Sequence, residues 1–174
     1  MAEIIGKVLF TEEQIRQRAK ELGEQIARDY EGEEIYLIGT LKGGIVWMAD
    51  IMKAIPNDTK IDFICASSYG SGTSTTGVVK IKKDVEADLF NKNVIIIEDI
   101  VDTGTTLKFI KSYLAERNPK SVKICTLLDK PSRRLCDVQA DYIGFEIDNL
   151  FVVGYGLDYD QKYRNLPYVG YIEG

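Results

Sequence analysis

The chain has 174 residues, 45% of them hydrophobic and 28% charged, one domain's worth of globular sequence that can bury a core without disulfides or metal. It contains no histidine, so Ser-His-Asp and Cys-His catalysis are excluded, and proton transfer falls to carboxylates, Lys, Tyr, Cys or water. Its 22 basic against 27 acidic side chains leave a formal charge of −5, which argues against a general nucleic-acid or anionic-membrane binder but permits a small anion held locally.

The N-terminal MAEIIGKVLF shows no signal-peptide pattern, and no apolar run in the chain is long enough to span a membrane. A cytoplasmic location is expected. Thr11-Glu-Glu-Gln14 has capping-box spacing, and Ile15, Ala19, Leu22 and Ile26 then repeat at helical intervals. These predict a helix over about 12–29. Glu34–Thr40 is a short apolar run, Gly43-Gly44 turns the chain, and Ile45–Ile55 reads as a helix stopped by Pro56. Strands are predicted at Ile61–Ser67, Val78–Lys82 and Val94–Ile97, the last wholly β-branched and so suited to burial on both faces. A helix follows from about Thr105 to Arg117, ended by Asn118-Pro119, and then strands at Val122–Leu128, Asp141–Glu146 and Leu150–Val153. Alternating strands and helices predict a single α/β domain with a mainly parallel central sheet and helices on both faces. Residues 67–77 are ten parts in eleven Ser, Thr or Gly, either a loose hairpin connection or a lid that closes over substrate. Cys65, Cys125 and Cys136 are odd in number, match no metal motif in spacing, and read as free thiols.

The chemistry concentrates in Val94–Leu107, VIIIEDIVDTGTTL. In a parallel sheet the strand's carboxyl end opens onto the ligand crevice, and Glu98 and Asp99 fall where this buried strand emerges. Asp102-Thr-Gly-Thr-Thr106 then turns into a helix, presenting free N–H groups, hydroxyls and the positive end of the helix dipole to a phosphate. Two carboxylates beside such a cradle would repel an anion unless they bind hydroxyls or a cation. A sugar phosphate, with the acids on its diol or near Mg²⁺, satisfies both demands. Outlying residues read more plainly by themselves. Lys130 beside Pro131 looks like a solvated loop lysine, and Phe151 before two valines looks like core.

The Val94–Leu107 run resembles the phosphoribosyl-pyrophosphate (PRPP) binding motif of the type I phosphoribosyltransferases. Leu41-Lys42-Gly43-Gly44 is similar to that family's pyrophosphate loop, and Ser68-Tyr69 opens a segment like its flexible catalytic loop. Leu128-Asp129-Lys130, the following Arg133-Arg134, and Phe151–Tyr159 resemble the purine-binding end of its hypoxanthine–guanine members. The matches run in order from about residue 34 to Tyr171.

The resemblance implies the family's fold, with a small hood from the terminal segments, and a role for each matched residue. Lys42 and Gly43 would hold pyrophosphate, across a cis Leu41–Lys42 peptide bond, with Arg164 nearby. Glu98 and Asp99 would bind the ribose diol and help place Mg²⁺, and Asp158 would sit near a second Mg²⁺ at the purine end. Asp102, Thr103, Gly104, Thr105 and Thr106 would cradle the 5′-phosphate, with Asp102 also the general base at purine N7. Lys130 would donate to the exocyclic O6, Phe151 would stack on the base, and Val152 would offer backbone contacts.

The implied reaction is purine salvage: transfer of the phosphoribosyl group of PRPP to hypoxanthine or guanine, in a homodimer or homotetramer without nucleic-acid or membrane partners. Two other classes stand beside it. A regulator on the same fold would sense nucleotide or PRPP without turnover, though the net negative charge disfavours a nucleic-acid-binding one. A phospho-acceptor receiver domain also carries strand-end acids, but it lacks an anion cradle directly after them.

Overall fold

In the computed structural model, residues 5–69 and 78–172 are described. The elements run β1 (Ile5–Phe10), α1 (Glu12–Asp29), β2 (Ile35–Thr40), α2 (Ile45–Ala54), β3 (Thr59–Tyr69), β4 (Val78–Lys83), β5 (Asn93–Val101), α3 (Thr105–Ala115), β6 (Ser121–Asp129), β7 (Tyr142–Glu146), β8 (Val152–Val153) and β9 (Val169–Ile172). A one-turn 3₁₀ helix, Pro131–Arg133, follows β6.

The capping box forms: Thr11 Oγ1 accepts from the Gln14 N–H at 3.2 Å, and Gln14 Oε1 accepts from the Thr11 N–H at 2.9 Å. The apolar stripe of α1, with Ile15, Leu22 and Ile26, is fully buried. A six-stranded sheet has the order β4-β3-β2-β5-β6-β7. All its pairings are parallel except β3 with β4. Period-two alternation divides the core between its faces. Ile35 and Leu37 of β2 and Ile95 and Ile97 of β5 pack with α1 and α2, whereas Tyr36, Ile38, Val94 and Ile96 pack toward α3. The helices on both faces are as predicted.

The chain runs from β2 to its neighbour β3 on one side, then places β5 on the other side of β2 and β6 beyond it. The sheet therefore reverses its winding between β2 and β5, and the crevice lies at the carboxyl ends of those two strands. The loop after β2 holds Lys42, and the end of β5 leads into Asp102.

Two expectations need correction. Leu150–Val153 contributes only the two-residue β8, and it lies outside the main sheet, in a second sheet of order β1-β9-β8. β1 and β9, which form the rest of this hood, lacked a distinct strand pattern because their partners lie at opposite ends of the chain. Finally, β5 does not end at Ile97. It pairs with β6 as far as Val101 opposite Asp129, so Glu98 and Asp99 are strand residues rather than the start of a loop. Of the 67–77 segment read as a loose connection or a lid, residues 67–69 are antiparallel strand, with Ser68 opposite Val79 and Tyr69 opposite Val78; the remainder lies outside the described residues.

Candidate active site

Lys42, Gly43, Glu98, Asp99, Thr106 and Arg164 line one cleft of about 260 Å³ at the carboxyl ends of β2 and β5. A larger groove, bordered by Phe10, Phe145 and the start of α1, contains none of the predicted site residues.

The Leu41–Lys42 peptide bond is cis. Gly43 follows, and a Cβ there would overlap the Asp99 carboxylate and lie 3.3 Å from the Gly156 carbonyl oxygen. The loop is thus packed backbone-first against both the acid pair and the Gly154–Gly156 turn, an approach that only glycine permits. Thr40, the last residue of β2, donates its hydroxyl to Glu98 Oε1 at 2.7 Å, and the Asp99 N–H reaches the same oxygen at 3.0 Å. Desolvation lifts the Glu98 carboxyl well above the usual carboxylate range, and the neighbouring Asp99 charge adds to the rise.

Gly104, with φ at 83°, ends the turn after β5 and begins α3 without a side-chain cap. Apart from a long 3.5 Å approach of the Thr105 N–H to Thr103 Oγ1, the first N–H groups of α3 are left for a ligand. Asp102 precedes them, its side chain 42% exposed. Lys130 lies 3.8 Å from Asp102 Oδ2 and is only 8% exposed, so it is not the solvated lysine its local sequence suggests. The Lys130 backbone N–H donates to Val101 at 2.9 Å, pinning the end of β6 beside the turn. Arg133 Nε donates to the other Asp102 oxygen at 3.1 Å.

Phe151 also departs from its local reading: it is 53% exposed, with Tyr159 edge-on at 5.6 Å. Val152 is buried in β8 and pairs with Tyr171. Arg164 donates to the Gly156 carbonyl at 2.7 Å and pairs with Asp158 at 3.0 Å. Its Nε is buried without a partner. Gln161 Oε1 accepts from both Lys42 Nζ at 3.1 Å and Arg164 at 3.2 Å, a bridge between a cation of the loop after β2 and a C-terminal one that the sequence did not suggest. Gly156 was equally missed as a contact, although two glycines flanking Tyr155 mark a special turn. Thr40 had one usable signal, a hydroxyl at a strand's carboxyl end.

Among the described residues no three Cys, Asp or Glu side chains gather closely enough to hold a metal ion. Glu98, Asp99 and Asp158 therefore do not form a protein cage, and any Mg²⁺ would need substrate oxygens or water among its ligands. Oxygen donors with that shortfall suit Mg²⁺, which commonly takes one or two carboxylates plus phosphates.

Residues 7–160 match the phosphoribosyl transferase domain family. The chain belongs to that family. A hypoxanthine-guanine phosphoribosyltransferase of Streptococcus mutans serotype c is 49% identical over 169 residues, covering 97% of this chain and 94% of the relative. One from Mycobacterium tuberculosis is 47% identical over 175 residues, covering 97% and 87%. Among solved structures, a hypoxanthine phosphoribosyltransferase of Staphylococcus aureus superposes with a TM-score of 0.96 at 49% identity, over 99% of this chain and 94% of that one. A Bacillus anthracis hypoxanthine-guanine phosphoribosyltransferase with HEPES in its active site gives 0.93 at 51% identity, over 97% and 99%.

Proposed function

We propose that this phosphoribosyltransferase makes IMP, and GMP, by transferring the phosphoribosyl group of PRPP to hypoxanthine and guanine, with release of pyrophosphate. The observation that carries the reading is the buried Lys130 ammonium beside Asp102, at the mouth of the uncapped α3 turn. That pairing sets a donor for a purine carbonyl next to a proton acceptor and an anion cradle.

In this reading Thr103–Thr106 hold the 5′-phosphate, and Lys42 and Arg164 attract pyrophosphate. Arg164 Nε supplies a buried donor that lacks an acceptor in the protein. Glu98 and Asp99 bind the ribose diol and would help to hold one Mg²⁺, with Asp158 near a second. When bound, such a cation would supply positive charge against that of the pyrophosphate. Departure of pyrophosphate leaves positive character on the ribose carbon, and Lys42 offsets the leaving group's negative charge. Asp102 takes the N7 proton as the base attacks, work worth about 10²–10⁴-fold for a positioned carboxylate. Lys130 faces the 6-oxygen and Phe151 offers an open aromatic face to the ring. Ser68 and Tyr69 lead into the segment assigned to keeping water from the activated sugar.

We place the reaction in the cytoplasm, in keeping with three cysteines that remain free thiols, and in a homodimer or homotetramer, which sedimentation would test. The reading of the chain as a non-catalytic sensor is set aside, since no feature of the site favours it. Incubation with PRPP, Mg²⁺ and one purine at a time tests the assignment. IMP from hypoxanthine is expected; no nucleotide product from any 6-oxopurine would refute it.

A further inference from the structure

Arg134 belongs to no strand or helix, yet it touches both the end of β6 and the turn that precedes α3. The 3₁₀ turn Pro131–Arg133 swings the chain back after β6, so that Arg134 lies over the last strand residue, Asp129. One guanidinium nitrogen pairs with the Asp129 carboxylate, and the other donates to the Asp102 carbonyl at 2.9 Å. Both partners of the ion pair are largely enclosed, with side chains 15% and 8% exposed. The Arg134 stem also backs Gly104, where a Cβ would come within 2.9 Å of its Cδ. The next residue continues the contact, the Leu135 N–H donating to the Thr103 carbonyl at 2.9 Å.

We propose that Arg134 is a positioning residue that sets the pitch of the Asp102–Thr106 turn, and so holds the phosphate cradle in register with Lys130. The inference rests on the assignment of that turn to a sugar phosphate. The physical reason is the planar fork of the guanidinium. Asp129 fixes one arm, leaving the other aimed at a backbone oxygen of the turn. A buried charge already satisfied by its partner then serves as a rigid strut between β6 and the start of α3. Arg134 does not touch the substrate; it acts through the main chain of residues that would.

Arg134→Lys distinguishes this role from simple neutralisation of Asp129. Lysine keeps the positive charge, but it is a point donor that cannot span both acceptors. If neutralising Asp129 were the whole task, lysine would suffice. The measurement is calorimetric titration of ribose 5-phosphate into the wild-type protein and the variant, with the KM values for PRPP and hypoxanthine determined alongside. The Kd for ribose 5-phosphate and the KM for PRPP should each rise about ten-fold or more, the loss of one charge-assisted hydrogen bond. The KM for hypoxanthine should stay near its wild-type value. Asp129→Asn, which keeps an acceptor but loses the charge, should act in the same direction and supplies the answer if Arg134→Lys does not fold. Unchanged ribose 5-phosphate affinity in a folded variant would overturn the proposal, as would failure of the wild-type protein to bind ribose 5-phosphate. If the wild-type protein binds ribose 5-phosphate but turns over no purine, the functional assignment fails. The Kd comparison then decides the role of Arg134 by itself.

Discussion

Gly43 and Asp99 are packed so closely that even a methyl group on the glycine would overlap the carboxylate. The contact joins the loop after β2 to the end of β5 across the reversal of the sheet. It ties the backbone next to Lys42 to the acid pair. Gly156 closes the same contact from the other side, its own Cβ position blocked by the Gly43 carbonyl.

Gly43→Ala should therefore displace the loop without unfolding the sheet. A displacement of about 1 Å at a reacting centre can cost roughly 10²-fold in rate. A fall of that order in kcat/KM for PRPP is expected, with far-ultraviolet circular dichroism unchanged. Wild-type kinetics in Gly43→Ala would show that the loop tolerates the shift and has no part in holding pyrophosphate.

Asp102→Asn keeps the shape of the side chain and loses the proton acceptor. Turnover at saturating substrates should fall by about 10²–10⁴-fold, while PRPP still binds through the backbone of the turn. Steady-state kinetics checks the first expectation and equilibrium titration the second. An undiminished kcat would remove Asp102 from proton transfer.

Lys130 carries donors and no acceptor, so in the proposed base pocket it would reward a carbonyl at purine position 6 and meet the adenine amino group donor to donor. Hypoxanthine and guanine should be used and adenine refused. Lys130→Met should lower kcat/KM for hypoxanthine by about 10²-fold, the scale of a lost hydrogen bond to a charged group. The Kd for PRPP should change little. Efficient synthesis of AMP from adenine by the wild-type protein would contradict this account of the base pocket.

Glu98 holds its proton to higher pH in the folded protein than in the unfolded chain, because burial and the Asp99 charge disfavour its ionised form. The stability linked to that proton is complete at acid pH and declines as pH rises through the elevated value. Glu98→Gln keeps an acceptor for Thr40 and carries no charge. Without PRPP or Mg²⁺, its Tm should exceed wild type at about pH 8 and converge with it near about pH 4. Its affinity for PRPP with Mg²⁺ should fall. Parallel Tm curves across that pH range would contradict the assigned environment of Glu98.

The Cys125 thiol is fully buried, and burial pushes its pKa up to about 12. Thiolate is the reactive form, so a water-soluble thiol reagent at about pH 8 should leave Cys125 unmodified in the folded protein. Mass mapping of the native and the denatured, reagent-treated protein would check this. Native labelling of Cys125 would mean that β6 opens readily.

The course of the chain in sequence established the alternation of strands and helices, the capping box at Thr11, the absence of imidazole chemistry and the acid-turn-helix run at Val94–Leu107. Each of these is a local property: a period, a cap, or a spacing read within one turn or one strand. Local reading failed where a residue's surroundings come from distant chain. Lys130 is buried beside a strand end tied to Val101, and Phe151, just before the hood strand β8, is exposed. β1 and β9 are strands only because each supplies the other's hydrogen bonds across nearly the whole length of the chain. The roles of Thr40 beneath Glu98, Gln161 between Lys42 and Arg164, and Arg134 behind Asp102 arise in the same way. Sequence determined which groups are available and which backbone turns can present them. Only tertiary packing decided which groups meet, since contact energies depend on separation in space and not along the chain.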